Sequence, residues 1–190
     1  MSANTSQPLH LTVVSAGLSV PSSTRLLADR LTEAVRKQLA DTGGDVETRV
    51  VDLRDLTADI ADNLVTGFPS PSLAEAVEAV TSADGLIAVT PVFSASYSGL
   101  FKSFFDVIDN DALTGKAVLR AIVVPTSVYA ASEDGGGNGD PLTDTLPHRI
   151  VRAAGELAGL MRHRAGPAAR ATDDTAVVPF AQQLDALRPA

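Results

Sequence analysis

An α/β fold built on a doubly wound parallel sheet is what this chain predicts, and three observations carry the prediction. Short apolar runs alternate with longer stretches of helical spacing. Their order is β-α-β-α-β-α, which is the order of crossover units. The first and third apolar runs are near-continuous, as strands buried on both faces are.

Residues 1–8 read as a disordered lead. LHLTVVSAG (9–17) is an apolar run ending in small residues, a buried strand. PSSTRLLADRLTEAVRKQLA then spaces Leu27, Leu31, Val35 and Leu39 at i, i+4, with Ser22 or Ser23 available as the cap and DTGG as the stop. VETRVVDL (46–53) is a strand, and residues 54–71, with Pro69 and Pro71, read as loop. SLAEAVEAVTSA places Leu73, Ala76, Val77 and Val80 on one helical face behind Ser72 as a cap. DGLIAVTP (84–91) is a buried strand, and Leu100, Phe101, Phe104, Phe105 and Ile108 make the next helix face.

The pattern then breaks. GKAVLRAIVVPTSVYAA (115–131) is strand-like throughout, roughly three times the usual strand of about 5–6 residues. Two adjacent parallel strands need a crossover of about a dozen residues or more, and none is present. Either one long strand bends at Pro125, or two strand halves meet without their connection. SEDGGGNGDPLTDT follows as a Gly-rich surface loop. LPHRIVRAAGELAGLMRHR (146–164) is a helix with Ile150, Ala153, Ala154, Leu157, Leu160 and Met161 inward. One domain therefore covers 9–164, and 165–190 is an Ala/Pro-rich, loosely held tail.

Composition narrows the function classes. At 190 residues and 45% hydrophobic, the chain can bury a full core. A net charge of −8 argues against nucleic acid as partner, since a phosphate backbone needs a basic face. The absence of cysteine removes disulfides, thiol catalysis and thiolate metal sites. No apolar run approaches the roughly 20 residues of a membrane span, and MSANTSQPLH lacks the features of a signal peptide. A cytoplasmic enzyme or carrier is the expectation.

Ligands of open parallel sheets sit beyond the carboxyl ends of the strands. The first loop there, SAGLSVPSST, offers Ser15, Ser19, Ser22, Ser23 and Thr24 around Gly17, running into a helix N-terminus. Free N–H groups, the helix dipole and hydroxyls make it a phosphate site, with a serine-rich helix cap as the plain alternative. It is not a Walker loop. The second loop, TPVFSASYSG, supplies the backbone of Pro91, Val92, Phe93 and Ser94 and the hydroxyls of Ser94, Ser96, Tyr97 and Ser98. That surface suits a planar heterocycle with polar edges; the alternative is a strand–helix turn with Phe93 and Tyr97 in the core. GGGNGD (135–140) is not a dinucleotide fingerprint, no G-x-S-x-G elbow exists, and His148 and His163 read as surface residues. No metal site is expected.

Taken together, TPVFSASYSGLFKSFFD closely resembles the flavin-loop motif T-P-x-Y-x-x-S-Y-S-G-x-x-K-x-x-x-D of NAD(P)H-dependent FMN reductases, above all those that feed reduced flavin to two-component monooxygenases. SAGLSVPSSTRLLADRL is similar to that family's first phosphate loop, and ADGLIAVTPVF to its third strand. Phe93 stands where Tyr is common. The resemblance runs from about Leu9 to Leu119 and resumes at Arg120. It implies a flavodoxin-like three-layer sandwich, shortened after the third β-α unit. It also implies FMN and NAD(P)H as cofactors, with NADPH among them, a flavin-dependent monooxygenase as partner, and a homo-oligomer. By this resemblance Ser15, Gly17, Ser19, Ser22, Ser23 and Thr24 hold the phosphate, and Pro91 to Tyr97 run along the isoalloxazine. Lys102 and Asp106 brace the helix, and no residue is assigned as a catalytic acid or base.

In that family a flavin loop and a helix separate KAVL from a strand like VVPTSVYAASED, whereas here Leu119 and Arg120 are adjacent. The resemblance thus implies an internal deletion at this junction, leaving one face near strands three and four uncovered and FMN binding weakened. The rival from another class is a non-enzymatic flavodoxin-like protein, either an electron carrier or a deletion variant with impaired FMN binding.

Overall fold

The computed structural model of the chain describes residues 7–123 and 141–165. The expected lead and tail, Pro125, and the Gly-rich stretch up to residue 140 lie almost wholly outside them. The elements are β1 (Leu9–Ser15), α1 (Ser23–Ala40), β2 (Val46–Asp52), a 3-10 turn (Leu53–Leu56), α2 (Thr57–Thr66), α3 (Pro71–Ser82), β3 (Gly85–Phe93), β4 (Ser96–Tyr97), α4 (Gly99–Asp106), β5 (Ala117–Val123) and α5 (Pro141–Ala165).

β2, β1, β3 and β5 lie side by side in that order, all parallel, and β4 pairs antiparallel with the last residues of β3. The registers set Ser15 beside both Asp52 and Val89, and Pro91 beside Val123. The carboxyl ends of the four parallel strands therefore share one edge, and the loops after β1 and β3 emerge together.

Strand alternation sorts the apolar residues into two cores. Leu11 and Val13 of β1 and Ile87 and Val89 of β3 pack with Ala28, Leu31, Val35 and Leu39 of α1 and with Ala154, Leu157, Ala158 and Met161 of α5. Val14, Leu86 and Ala88 point the other way, onto Leu53, Ile60, Leu73, Val80, Phe104 and Ile108. Each fully buried Leu or Ile contributes about 1.5–3 kcal/mol relative to an exposed one. At Gly85 the core packs onto the backbone itself: a Cβ there would sit 2.5 Å from Met161 Sδ.

β5 runs unbroken through Leu119–Arg120 and pairs with β3 along its whole described length. Ala117, Leu119, Ala121 and Val123 face the α1–α5 core. On the opposite face Val118 and Ile122 are 38% and 60% exposed. The exposure is confined to β5: on the same face its β3 neighbours Leu86, Ala88 and Thr90 stay buried. Whether the strand continues past Val123 falls outside the described residues.

Three expectations are corrected. Residues 54–71 are not loop: a 3-10 turn and α2 occupy Leu53–Thr66. α2 buries only Ile60, so it lacks the wide apolar stripe of a core helix, and it ends at Gly67, whose φ of 76° closes it in the left-handed cap. The cap of α3 is Ser70, whose side chain accepts the Leu73 N–H, with Pro71 in the first turn; it is not Ser72. In α5, Leu160 is 55% exposed and Ala158 takes the buried position instead.

Candidate functional site

The first loop leaves β1 at Ser15, whose residue is fully buried and whose Oγ has no hydrogen-bond partner among the described residues. By alternation Ser15 shares the α1 side of the sheet with Leu11 and Val13. A buried hydroxyl left unpaired costs roughly 1–3 kcal/mol, so a polar group arriving there would regain that energy. Gly17 follows, pressed against the helix start: a Cβ on it would lie 2.0 Å from Ser22 Oγ and 3.1 Å from Thr24 Cβ. Ser22 caps α1, its Oγ accepting the Arg25 N–H at 3.2 Å. The first-turn N–H groups of Ser23 and Thr24 have no intrahelical acceptor. Ser19 and Ser23 are exposed and Thr24 is buried.

Of these, Gly17, Ser19, Ser22 and Ser23 line a cleft of about 680 Å³, with Arg25, Asp29, Asp52 and Arg54 toward β2, while Ser15 and Thr24 lie buried behind it. An unpartnered hydroxyl, free N–H groups and a backbone approach that only glycine allows are the features an anion such as phosphate uses. The arrangement fits such a group.

Arg25 was not singled out by sequence reasoning. Its Nε donates to Asp29 Oδ1 at 2.8 Å and its Nη1 to Asp52 Oδ2 at 3.1 Å. The Asp29 hydrogen bond first, and Asp52 after it, hold the guanidinium pKa above its ordinary value against the opposing effect of burial. The Arg25–Asp29 spacing of i, i+4 is legible in the sequence. Asp52 joins only because β2 lies next to β1.

The second loop is a hairpin, not a simple strand–helix turn. Val92 pairs with Tyr97 and Phe93 with Ser96, so Ser94 and Ala95 form a two-residue turn at φ values of 49° and 61°. Such turns favour Asn and Gly, because both central residues need positive φ. Held by Ser and Ala, the turn is strained, and strain of this kind gathers at functional sites. Thr90, buried, fixes the base: its Oγ1 donates to the Pro91 carbonyl at 3.0 Å and accepts the Ser98 N–H at 3.1 Å. Thr90 opens the quoted motif, yet sequence reasoning gave it no role.

Phe93 and Tyr97 are 46% and 48% exposed, which excludes the core reading for both. Tyr97 meets Phe101 edge-on with ring centroids 6.3 Å apart. Lys102 pairs with Asp106 one turn on along α4, and that hydrogen bond leads the causes that raise the Lys102 pKa. Pro91 is buried, Val92 half-buried, and Ser94 and Ser96 are exposed. The two loops flank the β1–β3 boundary, where the Ala16 N–H donates to the Val89 carbonyl at 3.0 Å.

His148 and His163 are exposed, as expected. Among the described residues no cluster is able to hold a metal ion, and no helix is long and apolar enough to cross a membrane.

Comparison with known proteins adds to this geometry. The profile of the NADPH-dependent FMN reductase family matches residues 9–138. The chain is 31% identical over 182 residues to "FMN reductase (NADPH)" of Pseudomonas aeruginosa, covering 83% of this chain and 95% of that one. Since 83% of 190 residues is about 158, about 24 positions of that relative have no counterpart here. It is 40% identical over 104 residues to "FMN reductase (NADPH)" of Escherichia coli, spanning about half of that relative's length (52%) and 55% of its own. Among solved structures, an oxidoreductase from Corynebacterium diphtheriae superposes with a TM-score of 0.71 at 39% identity, covering 82% of this chain and 98% of that one.

Proposed function

The chain belongs to the NADPH-dependent FMN reductase family, and from that premise we propose that it transfers a hydride from NAD(P)H to FMN and releases the reduced flavin. The single observation that carries this reading to particular residues is the buried, unpartnered Ser15 Oγ at the end of β1, where the loop to α1 begins. There Ser15, Ser22, Ser23 and Thr24 would bind the phosphate, with Gly17 giving the room and Ser19 at the rim. The Pro91–Tyr97 hairpin would carry the isoalloxazine against its backbone and the Tyr97 ring. FMN, when bound, supplies the hydride acceptor, so the protein's part is to bind and orient. Open access favours release: Phe93, Ser94, Ser96 and Tyr97 are all exposed. That openness supports the finer reading, in which the product serves a flavin-dependent monooxygenase.

NAD(P)H oxidation by the purified chain, with and without added FMN, tests the proposal. Turnover that needs added FMN supports it. A tightly held flavin with little NAD(P)H oxidation identifies a carrier instead, and no flavin binding identifies a deletion variant that has lost its site. NADH and NADPH in parallel give the nucleotide preference. Tyr97→Ala is expected to weaken FMN binding while costing far less stability than the roughly 3–5 kcal/mol of a buried aromatic, because half of the ring is exposed. Unchanged FMN affinity in a fluorescence titration would remove Tyr97 from the site.

A further inference from the structure

The cleft beside the phosphate loop holds two cations, Arg25 and Arg54, and two carboxylates, Asp29 and Asp52. Arg54 sits 3.6 Å from its neighbour Asp55, on the exposed 3-10 turn. Arg25 is different. It follows Ser22, Ser23 and Thr24 directly in the first turn of α1 and lines the same cleft as Ser22 and Ser23. A guanidinium so placed is a natural partner for a phosphate, since its planar donors match phosphate oxygens. Yet its Nε and Nη1 are both committed to carboxylates, at 2.8 and 3.1 Å. Asp52 is the more buried acid, its side chain 21% exposed against 54% for Asp29. Two of the guanidinium's donors are thus turned to carboxylates rather than toward the phosphate loop.

We propose that Asp29 and Asp52 withhold Arg25 from the FMN phosphate, keeping flavin affinity low enough for the reduced product to leave. The inference rests on the function proposed above and names the residues that set its release. An enzyme whose product is a diffusible flavin gains nothing from a charge-assisted clamp that binds FMN and reduced FMN alike. Uniform binding of this kind slows departure without assisting the chemical step. The two carboxylates cancel such a clamp without removing the arginine.

The test is a set of fluorescence titrations with FMN and with riboflavin, which lacks the phosphate, each at low and high salt. The variants are Asp29→Asn, Asp29→Asn/Asp52→Asn, Arg25→Gln, and the double variant carrying Arg25→Gln, with melting curves to verify folding. The double variant is expected to bind FMN about tenfold more tightly, with a steeper salt dependence and unchanged riboflavin affinity. Adding Arg25→Gln should abolish the gain. Asp29→Asn alone should give a smaller gain, and it keeps the test usable if loss of both acids unfolds the chain. Three results overturn the inference while leaving the proposed function standing: FMN affinity unchanged or weaker in the folded acid variants, a gain shared equally by riboflavin, or a tenfold loss from Arg25→Gln in the parent chain. Failure of both parent and double variant to bind FMN overturns the proposed function and this inference with it.

Discussion

Ser23→Glu is expected to lower FMN affinity by an order of magnitude or more while leaving the melting temperature unchanged or slightly raised. The two effects have opposite signs because they have different partners. Ser23 is the first residue of α1 and is exposed. A carboxylate there favours the helix dipole by about 0.3–1 kcal/mol in the empty protein. Against a phosphate in the same turn it meets like charge, worth about 1 kcal/mol at 4 Å in water and about 4 kcal/mol at an effective dielectric of 20. Repulsion therefore outweighs the dipole term only when the ligand is present. A fluorescence titration and a thermal melt on one preparation read both. FMN affinity equal to the parent's would place the phosphate elsewhere.

Phe104→Ala should cost about 3–5 kcal/mol, a large share of the roughly 5–15 kcal/mol that holds a domain together. Phe104 is fully buried, and its ring lies edge-on to Phe105 with centroids 5.4 Å apart. α4 has only eight residues, so this ring is its main anchor on the sheet. α4 begins where the β3–β4 hairpin ends, so loosening it should also loosen the hairpin. Phe101→Ala, at a half-buried neighbour, serves as the comparison and should cost clearly less. Urea midpoints measure both. Equal losses would show that the aromatic cluster, not the single buried ring, anchors the helix.

The elements legible in the sequence are those that bury a wide apolar face. β1, α1 and β3 carry such faces, and α4, which fully buries Phe104 alone, packs Leu100, Phe101 and Phe105 partly against the same core; their ends fall within a few residues of the expected places. α2 was invisible because it buries Ile60 alone, although Gly67 marked its end. The hairpin turn was invisible because Ser94–Ala95 lacks the Asn-Gly signal of its turn type. The phosphate loop was legible as a cluster of hydroxyls around Gly17. The Arg25–Asp52 contact was not, since it joins residues 27 apart and depends on strand order. At Leu119–Arg120 the sequence raised an anomaly of length, and the described residues show β5 running unbroken through that junction as far as Val123.

The contact between Gly85 and Met161 bears on the order in which the chain acquires its shape. β1, α1, β2 and β3 are complete by Phe93, yet their α1-side core is sealed by Ala154, Leu157, Ala158 and Met161. As the chain leaves the ribosome, that half of the sheet must wait, with apolar residues in water, until α5 has emerged. Domains of this kind complete their packing as units, and exposed surface in the interval invites association. A stop codon between Phe93 and Ala154 would therefore leave a nascent chain that has every residue of the phosphate loop and no lid over the core beneath it. Such fragments should be captured by chaperones or lost to aggregation, rather than persist as small flavin-binding domains.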